Sequence, residues 1–218
     1  MGANEYRTVH DPVDAHWFAE FAAARRSVRR YVPQPLAREL LDSLLQAAVC
    51  APSAHNRQPW RFLVIEAAST KEALARAMGE KLRADRSRDG DIAEAISADV
   101  ARSFARLTAA PVLVLICMSM EHMDRYADAR RNEAERLMAT QGTAMAAQNL
   151  LLAAHAAGLG ACWMCAPLFC PDVVSAALAL PADWEPQALL TLGVPADSGK
   201  PFLRRALSDV VRFAKDEA

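Results

Sequence analysis

No stretch of this 218-residue chain holds the run of about 18 apolar residues that a membrane-spanning helix requires. Residues 143–157 come nearest, and Gln148, Asn149 and His155 interrupt them. Charge of one sign is missing too. Lys+Arg total 25 against 26 Asp+Glu, a net charge of −1, which argues against a general nucleic-acid binder. Glu5, Arg7, Asp11, Asp14 and Glu20 break up the N-terminal stretch, so no secretory signal core is expected. Repeats, low-complexity tracts and linkers are absent, and residues 1–218 are expected to form a single domain. Its 53% apolar content is enough for a sizeable core.

Several catalytic signatures are also lacking. Gly158-Leu159-Gly160 has no third glycine, so no Rossmann nicotinamide site is expected. Without Gly-x-Ser-x-Gly there is no nucleophile elbow. Five cysteines, an odd number in mostly apolar surroundings, fit reduced cytoplasmic thiols better than a disulfide framework. Cys162 and Cys165 have Cys-x-x-Cys spacing, but a strand turns residues three apart to opposite faces. No further zinc ligands at suitable spacing are evident, so no metal site is expected.

What the chain does have is concentrated in two segments. Ala51-Pro52-Ser53-Ala54-His55-Asn56-Arg57-Gln58-Pro59-Trp60 reads either as an ordinary helix-to-strand turn or as a recognition loop. In the second reading Asn56 and Gln58 offer paired donors and acceptors to a heteroaromatic ring edge. Upstream lies Arg25-Arg26-Ser27-Val28-Arg29-Arg30-Tyr31-Val32. If this is extended, Arg25, Ser27 and Arg29 share one side and suit a phosphate, while Arg26 and Arg30 face away to solvent or ion pairs.

Helices are expected from Asp11-Pro12 (with Trp17, Phe18 and Phe21 as an apolar stripe), over 36–50, and from Ser69, which Ser69 or Thr70 would cap. Residues 79–108 are charge-rich with a break at Gly90, and read as two helices and a candidate lid. A long helix over 129–157, ended by Gly158, is apolar nearly all round in its second half. A further helix is expected over 171–179. Strands are expected at 61–66, 111–118, 160–165 and 187–194, with a strand-like tail at 207–213. This irregular interleaving favours an α+β fold. Trp60 and the apolar helix are expected to leave surface that only a second copy would cover.

Together these segments resemble the nitroreductase family of FMN-dependent enzymes. Its patterns Arg-x-Ser-x-Arg/Lys and Ala-Pro-Ser-Ser-x-Asn-x-Gln-Pro-Trp match here, save that Ala54 replaces the second serine. Ala147-Gln148-Asn149-Leu150, the Gly158-Leu159-Gly160 turn and Leu192-Gly193-Val194-Pro195 extend the resemblance over about residues 20–213. It implies a three-layer α/β/α sandwich with a mostly antiparallel sheet, in an intertwined homodimer whose two flavin sites are lined by both subunits. It also implies an FMN-dependent NAD(P)H oxidoreductase that reduces nitroaromatics, quinones or related small-molecule acceptors. Arg25, Ser27 and Arg29, with Arg26 in the same stretch, would hold the phosphate, joined by Arg204 or Arg205. Pro52, Ser53, Ala54 and Asn56 would reach the flavin from the other subunit. The backbone of Cys165 and Ala166 would approach its central ring. No protein side chain is then needed as a catalytic group, because the flavin carries the chemistry. Two alternatives within the resemblance are a non-redox flavin or deazaflavin binding module and a reduced-FMN-consuming dimethylbenzimidazole synthase.

Overall fold

Every residue of the strand Val112–Met118 is buried, as its unbroken apolar sequence leads one to expect, and the fold is arranged around it. The structure is a computed structural model that describes residues 14–214. Its strands are β1 (Trp60–Ile65), β2 (Val112–Met118), β3 (Gly160–Met164) and β4 (Glu185–Gly193). They form one sheet in the order β1-β2-β4-β3, with all three pairings antiparallel. The helices are α1 (Ala15–Ala24), α2 (Arg38–Val49), α3 (Ala68–Arg88), α4 (Ala93–Ala109), α5 (Ala129–Ala156), α6 (Pro171–Leu178) and α7 (Leu207–Val210).

Alternate residues of β2 serve two cores, as the two-residue period of a strand requires. Val112, Val114 and Ile116 meet Leu41 and Leu44 of α2 and Leu150 of α5. Leu113, Leu115 and Cys117 meet Leu74 of α3, Leu107 of α4 and Val174 of α6. Lys71, buried in the first turn of α3, donates to the carbonyls of Ala110 (2.7 Å) and Pro111 (3.1 Å), satisfying the end of α4.

The structure departs from the sequence expectations in several places. Asp11 and Pro12 lie outside the described residues, and the cap of α1 is Asp14, whose carboxylate accepts from the His16 N–H. Ser69 and Thr70 do not cap α3. The two-residue turn out of β1 leaves that position to Ala67, which has no side-chain oxygen to offer. Residues 207–213 form a helical turn and an extended end rather than a strand, with no strand among the described residues paired to them, and Phe213 is 81% exposed. Trp60 is only 5% exposed, covered by Ala51 of the preceding turn and Ala146 of α5. The exposed large apolar residues of α5 are instead Leu137 and Met145. Cys50 and Cys165 are exposed rather than enclosed in apolar surroundings.

Residues 25–32 run along the outer edge of the sheet. Ser27 bridges Ala161 in parallel, the Val28 N–H donates to the Ala161 carbonyl (3.0 Å), and the Val32 N–H donates to that of Val194 (2.9 Å). The buried Tyr31 hydroxyl, 2.6 Å from both the Val28 carbonyl and Thr191 Oγ1, can donate to the first and accept from the second. Burial pushes its phenol well above the usual range, outweighing the opposing effect of the Thr191 bond. The segment lies so close to β3 that a Cβ on Gly160 would sit 2.8 Å from the Val28 Cβ.

Candidate functional site

The extended backbone sets the side chains of residues 25–29. Val28 points into the core, so Arg25, Ser27 and Arg29 turn outward together. Arg29 donates to the Ser27 carbonyl at 3.3 Å. Arg30 pairs with Asp197 at 2.6 Å. Arg26 donates to the carbonyls of Ala23 (2.5 Å) and Arg25 (3.0 Å), and its guanidinium lies 4.3 Å from the Phe202 ring centre.

That ring draws the two ends of the chain together. Arg204 lies over the same Phe202 at 3.8 Å, so the C-terminal segment returns to the N-terminal arginines. The return is fixed by the Ala196 N–H on the Arg30 carbonyl (3.0 Å) and the Gly199 N–H on Asp197 (2.8 Å). Gly199 has a left-handed φ of 73°, and a Cβ there would stand 2.9 Å from the Arg26 Cβ. Arg205 is exposed on the same stretch. Arg25, Arg26, Arg29 and Arg204 have no ion-pair partner among the described residues, although Arg30 beside them does. Uncompensated guanidiniums backed by a tightly packed strand fit an anion such as a phosphate monoester.

The loop at 53–58 is built differently. His55, Asn56 and Gln58 have φ values of 49°, 53° and 50°, in the left-handed region that non-glycine residues rarely enter. Internal bonds hold them there. The Asn56 N–H donates to the Ser53 carbonyl, the Arg57 N–H to that of Ala54, and the Gln58 N–H to the Ser53 hydroxyl, each at 3.0 Å. Arg57 ties the loop to Asp124 at 2.6 Å. The Ser53 hydroxyl is thus engaged within the loop, Pro52 is exposed and Ala54 half-buried, and the side chains of His55, Asn56 and Gln58 reach solvent.

Cys162 is buried within β3, whereas Cys165 is exposed and lies just past the strand's end, so strand alternation does not govern the pair. The Trp163 indole N–H donates to Cys165 Sγ at 2.9 Å. Cys165 and Ala166 enter a 3₁₀ turn, and no turn or loop hydrogen bond among the described residues uses their N–H groups. Burial pushes the Cys162 thiol up, while the guanidiniums of Arg29, Arg106 and Arg25 oppose that shift. Arg106, in the last turn of α4, is a further cation that no sequence motif marks. It reads as an ordinary helix-terminal cation, and only the pairing of α4 with α3 sets it beside an apolar cavity. His155 is half-buried rather than in the core, and packs against the Phe21 ring, 4.8 Å between centres.

The chain shares extended similarity with known proteins. A Thermus thermophilus NADH dehydrogenase is 33% identical over 214 residues, covering 87% of this chain and 92% of that protein. A Rhodobacter capsulatus 5,6-dimethylbenzimidazole synthase is 30% identical over 185 residues, covering 84% of this chain and 86% of that one. A crystal structure of a Desulfovibrio desulfuricans protein assigned as a nitroreductase, in complex with FMN, matches with a TM-score of 0.68 and 27% identity. It covers 90% of this chain and 96% of that chain. The sequence pattern of the nitroreductase family itself matches residues 22–194, from the end of α1 past β4, and the chain belongs to that family.

Proposed function

We propose that the protein is an FMN-dependent NAD(P)H oxidoreductase, one domain per chain, that works as a homodimer and reduces small electron-poor acceptors. The observation that carries this reading is the set of arginines left without anionic partners along the β3 edge. When bound, FMN would supply hydride acceptance and donation. Arg25, Ser27 and Arg29 hold its phosphate, and Arg204, presented on Phe202, adds a further cation from the C-terminal segment. The unused N–H groups at Cys165 and Ala166 orient the central ring. In the overall balance one hydride from NAD(P)H and one proton from water convert a nitro group to nitroso plus water, or a quinone to its hydroquinone. The name of the Thermus relative supports NADH among the donors.

The test is anaerobic: the purified yellow protein should be bleached by NADH or NADPH and recoloured by a nitroaromatic or quinone. Flavin that stays oxidised with both donors would refute the reading. The Rhodobacter relative favours one alternative, a synthase that consumes reduced FMN, for which dimethylbenzimidazole would be the diagnostic product.

A homodimer accounts for surfaces that the single chain leaves open. Leu137 and Met145 of α5 and Phe213 of the tail are exposed, and the outer edge of β1 has no partner strand among the described residues. Sedimentation should report twice the 23.7 kDa chain mass, and a stable flavin-loaded monomer would contradict it.

Asn56 is assigned to the pyrimidine edge of the flavin bound by the second copy. Its left-handed loop fixes the backbone from which the amide projects, and donation to a ring carbonyl would strengthen as that edge gains negative charge. Asn56→Leu should therefore lower the midpoint potential and slow bleaching by NAD(P)H more than it weakens FMN binding. Potentiometry and stopped-flow absorbance check this, and an unchanged potential and rate would return Asn56 to the status of a turn residue.

A further inference from the structure

Beneath the α3–α4 hairpin lies a cavity of about 300 Å3. Its walls are largely apolar: Met78 and Leu82 of α3, Leu107 of α4, Met164 at the end of β3, and Phe169 of the turn that follows. Ala166 opens onto it, so the cavity adjoins the backbone assigned above to the flavin's central ring. At the low end of the usual range for ligand cavities, this volume suits a single ring with small substituents.

The charged groups around it are mostly neutralised. Lys81 pairs with Asp85 at 2.6 Å, and Arg86 pairs with Asp91 at 2.5 Å and with Asp99. Asp89, at the C-terminal end of α3, is exposed to solvent. Arg106 differs from the other cations here. It is half-buried, lines the cavity, and has neither an ion pair nor a side-chain hydrogen bond among the described residues. A partly desolvated cation against apolar walls is costly until an anion joins it.

We propose that this cavity seats the electron acceptor, and that the acceptor is a small aromatic or quinonoid ring bearing an anionic group that pairs with Arg106. The proposal rests on the FMN reading above. The competing role for Arg106 is to offset the dipole of the α4 C-terminus, which needs no ligand.

Two acceptors with the same ring and nitro group but different charge decide between them: 4-nitrobenzoate and 4-nitrobenzyl alcohol. The holoenzyme should show a KM for the benzoate lower by about 10-fold or more, and redox-inert benzoate should compete with it and perturb the flavin absorbance spectrum. Arg106→Met should raise the benzoate KM by roughly 10- to 100-fold, with kcat changed less and the alcohol unaffected. Arg106→Lys should restore part of the preference, and Leu82→Trp should exclude both acceptors by filling the cavity. FMN content and melting temperature are measured for every variant. Equal KM values for the two acceptors in the wild type would overturn the proposal. So would an Arg106→Met protein that loses FMN, which would assign Arg106 to the cofactor. A wild-type protein that retains no FMN would refute the flavin reading itself, and is recognised before any acceptor is added.

Discussion

Alanine at Arg25 or Arg29 is expected to weaken FMN binding by about 1.5–3 kcal/mol each while leaving riboflavin binding unchanged, since hydrogen bonds to charged groups contribute on that scale. The two arginines share one side of an extended segment and have no ion-pair partner among the described residues, so neither charge is neutralised before a ligand arrives, although Arg29 donates to the Ser27 carbonyl. Because they would contact one phosphate, the double variant should lose less or more than the sum of the singles. Arg30 is the internal control. Its side chain is 80% exposed and paired with Asp197, an arrangement of little energetic weight, and Arg30→Ala should leave FMN affinity unaltered. Fluorescence titration with FMN and riboflavin measures all four. Equal losses for the two flavins would make Arg25 and Arg29 structural.

Gly160→Ala is expected to lower stability by about 1–3 kcal/mol, the usual cost of forcing extra volume into a packed site. It should lower FMN affinity as well, although Gly160 is assigned no ligand contact. The new Cβ would meet the Val28 Cβ and Cγ1 at 2.8 Å and the Pro195 Cβ at 3.2 Å. Val28 cannot yield freely, because its N–H is bonded to the Ala161 carbonyl, so the strain passes into the neighbouring Ser27 and Arg29. Gly158→Ala is the contrasting case. Gly158 has a φ of 72° with nothing within 4 Å of its Cβ position, so alanine there brings local backbone strain without displacing the segment. Urea unfolding and FMN titration of the two variants separate these effects. Matched losses of affinity would show that the arginine segment is not held in place by its fit against β3.

Elements whose signal is local could be read directly from the residues. The run at 111–118 is apolar at every position, which only a strand covered on both faces tolerates, and β2 occupies Val112–Met118. Gly158 marks the end of α5 because the left-handed turn after a helix favours glycine. The alternation of Arg25, Ser27 and Arg29 followed from the two-residue period alone, once the segment was taken as extended. What could not be read depends on distant partners. The tail at 207–213 has strand-like residues but no edge to join. Trp60 sits in a polar loop sequence, yet Ala146, far along the chain, covers it. The left-handed turn of His55, Asn56 and Gln58 carries no glycine to announce it. Arg106 comes to line a cavity only when α4 packs against α3.

The bridge of Ser27 to Ala161 has a bearing on how the protein survives in a crowded cell. β3 is a terminal strand of the sheet, and a bare strand flank invites pairing with other chains. Residues 27–32 shield that flank, and Arg29 among them is one of the unpaired guanidiniums whose mutual repulsion a bound phosphate would relieve. Cofactor loading there would then also protect against aggregation: apoprotein stripped of its phosphate ligand should expose β3 more often and clump sooner on warming. Phosphate buffer alone should delay that onset where riboflavin does not.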